Sequence, residues 1–421
     1  MSEPGARPHR WDGISHAWRA LRHRNFRLFF VGQGISVMGT WMTRLATSWL
    51  VYRLTNSALL LGVVTFSGQI VSFVLQPVAG VWVERMNRQK LLVWTQIAAA
   101  FQSLALAALT LTHVITLWEI IALAALQGLI NSLDTPGRQT FLVQMVEGRD
   151  DLSNAIAINS SMQNGARLIG PAIAGLVIAA VGEGWCFLID GLSYIPVVAS
   201  LLMMHIKPLD IPRRSGSMLE QMREGWDYVR NFLPIRTILL LFTLTSLMGY
   251  PYTVLLPIFA GQVLHGGAHT LGWLTGSSGI GALISALSLT LKKSIRGLTR
   301  MIQIASAMLG VALIFFGLSQ TLWLSLILMV FAGFGLMQSN AASNTVIQAL
   351  VAEDKRARVM SYYTMAFFGA APIGSLMSGA LAEWIGAPYT LVITGACCVA
   401  ASMWFASELP KVKAAMAAAL T

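Results

Sequence analysis

Hydrophobic residues occur along this chain in long runs separated by short polar stretches. A helix needs about 20 mostly apolar residues to cross a bilayer. Twelve runs meet that length and lie, within a few residues, at 28–52, 58–83, 90–113, 116–141, 154–181, 185–204, 236–262, 270–291, 299–319, 322–349, 359–382 and 387–406. The pattern predicts an all-α integral membrane protein with twelve transmembrane helices.

The polar stretches divide the runs into two halves of six helices each. We expect a basic arm at 1–27, a first bundle at 28–204, a linker at 205–235, a second bundle at 236–406 and a tail at 407–421. Within the linker, apolar residues recur at helical spacing opposite charged ones. That spacing predicts an amphipathic helix lying on the membrane surface between the two bundles.

Short elements of the first half recur in the second half, 204 to 210 residues further on. Gly62 recurs as Gly272, and a set of three glycines, Gly170, Gly175 and Gly182, recurs as Gly374, Gly379 and Gly386. The order of the elements is the same in both halves. We therefore predict two pseudo-symmetric six-helix bundles related by an internal parallel repeat.

Composition agrees with a membrane protein, because 55% of the 421 residues are hydrophobic and only 11% are charged. The formal net charge of +11 first suggests nucleic acid, but the positions of the bases exclude that reading. Of the 29 Lys and Arg residues, 26 lie in the termini and one alternate set of loops, and only Arg53 lies in the other set. Positively charged loops stay in the cytoplasm. We therefore expect both termini to be cytoplasmic and no nucleic-acid partner.

Two arginines lie inside predicted helices of the first half. Arg44 lies about 24 Å from the cytoplasmic end of its helix, and Arg167 lies near mid-membrane. Asn159, Gln163 and Arg167 follow one another at i, i+4 and i+8, so they form one polar stripe. Such an arginine either snorkels outward, pairs with an acid or faces water. The stripe either lines a substrate path or bonds neighbouring helices.

Two acids lie well inside predicted helices, away from their ends, and both are in the first half. Asp134 and Asp190 are therefore the candidates for coupling transport to protons. Alternatively, Asp190 only neutralises Arg44 or Arg167. If it does not, the path is positive along the first half and attracts anions, since the second half offers only neutral groups. Among those neutral groups, the path candidates are Tyr252, Gln338, Asn340 and Asn344.

A short charged loop after the second helix carries the pattern Gly-x-x-x-acid-Arg-x-x-Arg-x-Lys. Its defining residues are Gly80, Glu84, Arg85, Asn87, Arg88 and Lys90. The loop resembles that between the second and third helices of the major facilitator superfamily, with Asn87 where the family usually has Gly. The resemblance implies that Glu84, Arg85 and Arg88 form a cytoplasmic charge relay with Asp134, which Arg138 adjoins.

A second motif lies in the fifth helix, where proline and glycines predict a bent and closely packed segment. The motif comprises Gly165, Gly170, Pro171 and Gly175. It partly resembles the Gly-Pro antiporter motif of superfamily exporters. Over nearly its whole length the chain resembles the branch with the enterobactin exporter, macrolide-efflux proteins and transmembrane secretion effectors.

These features favour a proton-coupled exporter of an amphipathic or anionic small molecule, acting as a monomer in the inner or plasma membrane. An importer of a nutrient or ion with the same fold remains the alternative, and a membrane-embedded sensor or enzyme is a third. The sequence holds no metal-ligand spacing, no phosphate-binding loop and no paired nucleophile and base. We therefore expect neither cofactor nor metal, and no enzymatic activity.

Overall fold

The computed structural model describes residues 19–146, 148–206, 218–290 and 297–420. After a short 3-10 helix at Arg19–Arg22, the first half consists of six long helices. They are α1 (Arg24–Thr55), α2 (Ala58–Arg85), α3 (Arg88–Leu111), α4 (Leu117–Leu142), α5 (Arg149–Val181) and α6 (Glu183–Met203). Helix α7 (Met218–Asn231) follows in the linker.

The second half begins with a broken helix and continues with five unbroken ones. They are α8 (Leu233–Met248), α9 (Tyr252–Ile258) with a π-helical turn at Phe259–Val263, α10 (Ala268–Thr290), α11 (Leu298–Leu318), α12 (Leu322–Leu350), α13 (Glu353–Ile385) and α14 (Ala387–Leu420). The break follows from Pro251, which has no backbone N–H to donate and so interrupts the helical hydrogen bonds.

Within the described ranges, ten helical segments are long and apolar enough to cross a membrane. They comprise α2 to α6, the segment from α8 through the π-helical turn, and α11 to α14. Helices α1 and α10 are less apolar than these ten segments. Helix α1 carries Gln33, Thr40 and Arg44, and α10 is rich in serine, threonine and glycine. The structure therefore supports a multi-pass all-helical membrane protein, and the count of twelve stays a prediction.

The segment predicted as a tail, 407–421, is helical in its described part, because α14 continues through Leu420. Leu409, Val412 and Met416 recur at helical spacing and are buried against the core of the second half. The predicted amphipathic helix of the linker corresponds to α7. It contacts α13, where Glu224 forms an ion pair with Arg358.

Each half is packed in the same way. In the first half, α1 packs against α5 and α6, α3 against α4 and α6, and α2 against α4. In the second half, α8 packs against α13 and α14, α11 against α12 and α14, and α10 against α12. Two pairs, α2 with α13 and α5 with α10, join the halves. We call the side with α7 and the start of α1 the linker side, and the opposite side the far side.

Candidate functional site

A cavity of about 390 Å³ lies within the first half. It extends along α1 from Phe29, near the linker side, to Arg44, and all its lining residues belong to α1, α3, α4, α5 and α6. Its polar lining residues include Gln33, Ser36, Thr40, Gln96, Gln127, Asn131, Asp134, Thr135, Arg138, Gln139, Asn159 and Gln163. A polar cavity that reaches mid-helix is where a transporter of this size can hold a small molecule.

Arg44 lines this cavity, and its guanidinium carbon lies 4.8 Å from the centre of the Trp41 ring. The guanidinium carbon of Arg167 lies 5.8 Å from the same ring centre. Trp41 itself lines the cavity and is held by a close approach of α5, since a Cβ placed on Gly170 would lie 2.7 Å from the Trp41 Cβ. Both arginines of the predicted membrane-spanning runs therefore lie beside the ring of one tryptophan.

Asp190 is almost fully buried, with 1% of its surface exposed. Its Oδ2 accepts hydrogen bonds from Thr43 Oγ1 at 2.8 Å and Ser103 Oγ at 2.7 Å, while its Oδ1 has no hydrogen-bond partner in the described structure. The carboxylate lies against α1 at Gly39, where an added Cβ would be 2.6 Å from Oδ1. Asp190 is thus held by hydroxyl groups, and it forms no ion pair with either arginine among the described residues.

Asp134 is bonded at both carboxylate oxygens. Its Oδ1 accepts from Thr95 Oγ1 at 2.9 Å and Gln96 Nε2 at 2.7 Å, and its Oδ2 forms an ion pair with Arg138, one turn later on α4. This cluster joins α3 to α4 and lies in the cavity wall. The charge of Asp134 is therefore already compensated by its neighbour on the same helix.

The motif after α2 is described only in part. The side chains of the predicted relay residues Gly80, Glu84 and Arg85 lie outside the described part of the structure. Arg88 begins α3 and is buried. Asn87 caps α3, because its Oδ1 accepts the backbone N–H of Lys90 at 3.1 Å. The asparagine that replaces the family's usual glycine therefore starts the next helix.

The predicted residues of α5 have different surroundings along the helix. Asn159 and Gln163 line the cavity, and the Oδ1 of Asn159 is buried with no partner in the described structure. Gly165 has no atom within 4 Å of an added Cβ, so it makes no close contact. Pro171 and Gly175 instead meet α10 of the second half.

None of the four predicted path residues of the second half lines the cavity. Tyr252 is buried, and its hydroxyl lies 2.6 Å from that of Ser278. Gln338 is buried between α10 and α12, where its Oε1 accepts from Ser285. The backbone carbonyl of Asn340 accepts a hydrogen bond from the Tyr363 hydroxyl. The side-chain oxygen of Asn344 accepts one from the amide of Gln348.

On the far side, two glycine contacts hold the halves together. A Cβ on Gly62 would lie 2.7 Å from the Ser375 carbonyl oxygen of α13, next to Gly379. A Cβ on Gly272 would lie 2.7 Å from the Pro171 carbonyl oxygen of α5, next to Gly175. Helices that approach so closely leave no passage between them. The two contacts are equivalents in the internal repeat.

A polar contact adds to this closure. Glu383 of α13 accepts from Ser57 Oγ at 2.9 Å and from the backbone N–H of Leu59 at 3.2 Å, at the start of α2. Gln262 Nε2 likewise donates to Asn56 Oδ1 at 3.0 Å. The far side is therefore closed in this structure, whereas the cavity extends toward the linker side.

Sequence reasoning missed several residues of this site, chiefly Trp41, Thr43, Ser103 and Tyr194. Trp41 could have been found, because it lies one turn before Arg44 on the same face of α1. Ser103 could not, since its contact with Asp190 joins two helices 87 residues apart in the chain.

Solved transporters share this fold. A bacterial homologue of the iron transporter ferroportin, in an inward-facing state, superposes with a TM-score of 0.70 at 17% identity, covering 91% of this chain and 98% of that one. The nucleoside transporter NupG gives a TM-score of 0.69 at 15% identity over 92% of this chain and 99% of that one. The chain therefore has the fold of these two proteins.

The sequence profile of the transmembrane secretion effectors matches residues 15–421, and the chain belongs to that family. The staphyloferrin A transporter of Staphylococcus aureus is 26% identical over 90% of this chain and 95% of its own length. The multidrug efflux pump Tap of Mycolicibacterium fortuitum is 25% identical over 83% of this chain and 87% of its own. The resemblance to the major facilitator superfamily is thus confirmed.

Proposed function

We propose that this protein exports an amphipathic small molecule, such as a siderophore or drug, from the cytoplasm in exchange for protons. The observation that carries the proposal is the asymmetry of the structure: a polar cavity reaches the linker side, whereas glycine contacts close the far side. An alternating-access transporter has this form when it is open to one compartment. Relatives named for efflux or for siderophore transport support export.

The proposed topology places the linker side in the cytoplasm. Its support is the strong asymmetry of basic residues between alternate loops. In this topology α1 and α10 also cross the membrane, giving twelve spans in two six-helix bundles. Their lower hydropathy fits positions beside the cavity and at the junction of the halves, where helices need not face lipid.

Asp190 is the better candidate for proton coupling. Its Oδ1 accepts no hydrogen bond among the described residues, so this oxygen can take a proton without loss of an existing contact. Both oxygens of Asp134 already accept hydrogen bonds or an ion pair. We assign Asp134 and Arg138 instead to the cytoplasmic gate, with Glu84, Arg85 and Arg88 as the partners that the family resemblance implies.

Transport in inverted membrane vesicles tests this function. The vesicles contain the full chain and receive amphipathic fluorescent compounds of negative, zero and positive charge, with and without an acidic lumen. Export predicts uptake into the lumen that depends on the pH gradient and stops when a protonophore dissipates it. Gradient-driven uptake only into right-side-out vesicles would identify an importer, and uptake insensitive to the gradient would exclude proton coupling.

A further inference from the structure

Two arginines of the first half have no ion-pair partner among the residues that the structure describes. Among the residues that the structure describes, neither Arg44 nor Arg167 forms a hydrogen bond or an ion pair. Arg44 is exposed to the cavity, and Arg167 is partly buried. Arginine is charged at every physiological pH, so both charges are permanent. An arginine inside a membrane-spanning helix needs water or an anionic partner beside it.

Asp190 does not supply that partner. Its Oδ2 accepts hydrogen bonds from Thr43 and Ser103, and the carboxylate is buried against Gly39 of α1. Asp134, the acid that does line the cavity, is paired with Arg138. Neither of these two acids therefore forms an ion pair with the arginines at Trp41.

Trp41 places the two arginines in one site. The guanidinium carbons of Arg44 and Arg167 lie 4.8 Å and 5.8 Å from its ring centre. The two carbons are therefore no further apart than these two distances together. The ring attracts each cation weakly through its π-face, and it offers an apolar surface on which a planar ligand can stack. Gly170 of α5 lies close to the Trp41 Cβ, so α1 and α5 approach each other closely at the base of this side chain.

The neighbouring cavity wall provides neutral hydrogen-bonding groups. Gln163 lies one turn before Arg167, and Asn159 lies one turn before Gln163. The buried Oδ1 of Asn159 has no partner among the described residues and can accept a hydrogen bond from a ligand hydroxyl or amide. A guanidinium binds a carboxylate through two parallel hydrogen bonds, which a neutral or cationic group cannot form.

We propose that Arg44 and Arg167, with Trp41 between them, form a binding site for an anionic group of the exported molecule, a carboxylate or an acidic aromatic ring. The site rests on the proposed export function, because it assigns the class of molecule that the cavity takes. It also explains why both arginines lie on helices that line the cavity and form no ion pair with a described acid.

Equilibrium binding separates this site from transport, because it needs no gradient. The full chain in nanodiscs is titrated with dansylglycine, an anion, and with dansylethylenediamine, a cation with the same fluorophore. We expect the parent to bind the anion about tenfold more tightly than the cation, and Arg44→Gln and Arg167→Gln each to remove most of that preference. Arg44→Lys, which keeps the charge without the planar fork, should retain part of it.

Arg236→Gln is the matched control, since it removes one positive charge from an exposed position at the start of α8. It should leave the preference unchanged, and thermal unfolding of each variant verifies the fold. A parent that binds the cation as tightly as the anion, or Gln variants that keep the preference, would overturn the anionic site. The export proposal would then stand or fall on the vesicle assay alone.

Discussion

The two halves of this protein share a scaffold but differ in chemistry. The close backbone contact of Gly68 with Gly128 in the first half recurs as Ser278 with Gly333 in the second. The charges do not recur. With the same offsets, Asp134 corresponds to Ser339 and Asp190 to Thr394.

This difference separates the residues that form the fold from those to which we assign transport in our proposal. Ser339 bonds Ser306 across α11 and α12 at 2.9 Å, a neutral counterpart of the Asp134 cluster. Arg167 corresponds to Ala371, which is buried. Small residues at helix crossings are thus sufficient for packing in both halves. The cavity and its charges belong to the first half, which we therefore regard as the half that binds and couples.

The largest expected effect is at Asp190. Asp190→Asn removes the titratable group and should abolish pH-gradient-driven accumulation in proteoliposomes, while cargo exchange without a gradient continues. Thr394→Val makes a change at the equivalent position of the second half and should transport at nearly the parent rate. Uphill transport in Asp190→Asn at the parent rate would show that the carboxylate only supports packing.

Substitution of either far-side glycine, Gly62 or Gly272, by alanine should weaken the closure of the far side to the same extent. Gly62→Ala and Gly272→Ala each place a methyl group against a backbone carbonyl, which cannot move aside as a flexible side chain can. We expect each to destabilise the closed far side by about 1–3 kcal/mol. Distances between spin labels across the far side would report the shift toward an open form.

Gly165→Ala is the control for these variants, because its added methyl group meets no atom within 4 Å. It should leave the spin-label distances unchanged. Equal distances in all three variants would mean that the glycine contacts do not determine closure.

A smaller effect is expected at Asp134. Asp134→Asn leaves Arg138 without its ion-pair partner and should shift the gate equilibrium by roughly 1–2 kcal/mol, measured with labels across the linker side. Ser339→Ala removes the neutral counterpart in the second half and should shift it by less than about 0.5 kcal/mol. Similar shifts in both variants would assign Asp134 to helix packing alone.

Much of the fold was predictable, because a bilayer imposes long apolar helices and one-sided basic loops. The pattern of runs located every described helix of the two halves, although it missed the break at Pro251 and the extension of α14. It also identified Arg44, Arg167, Asp134 and Asp190 as unusual, since ionisable groups inside spans are rare.

The partners of these groups were not predictable from the sequence. A similar depth in the membrane left open that Arg44 or Arg167 neutralises Asp190, whereas hydroxyl groups of α1 and α3 bond to it in the structure. Such contacts depend on how helices rotate against one another, and that rotation is set by glycines distributed over the whole chain. Helix rotation likewise decides where the polar residues of the second half lie. They were expected along the path, yet Tyr252 and Gln338 form hydrogen bonds within their own half.

Accessibility of single cysteines tests the central claim most directly, that the cavity of the first half opens to the cytoplasm. Gln163→Cys and Gln338→Cys are placed in a background without Cys186, Cys397 and Cys398, then treated with a membrane-impermeant thiol reagent. We predict rapid labelling of Gln163→Cys in inverted vesicles, slow labelling in right-side-out vesicles, and little labelling of Gln338→Cys in either. Faster labelling of Gln163→Cys in right-side-out vesicles, or equal labelling of Gln338→Cys, would contradict the account.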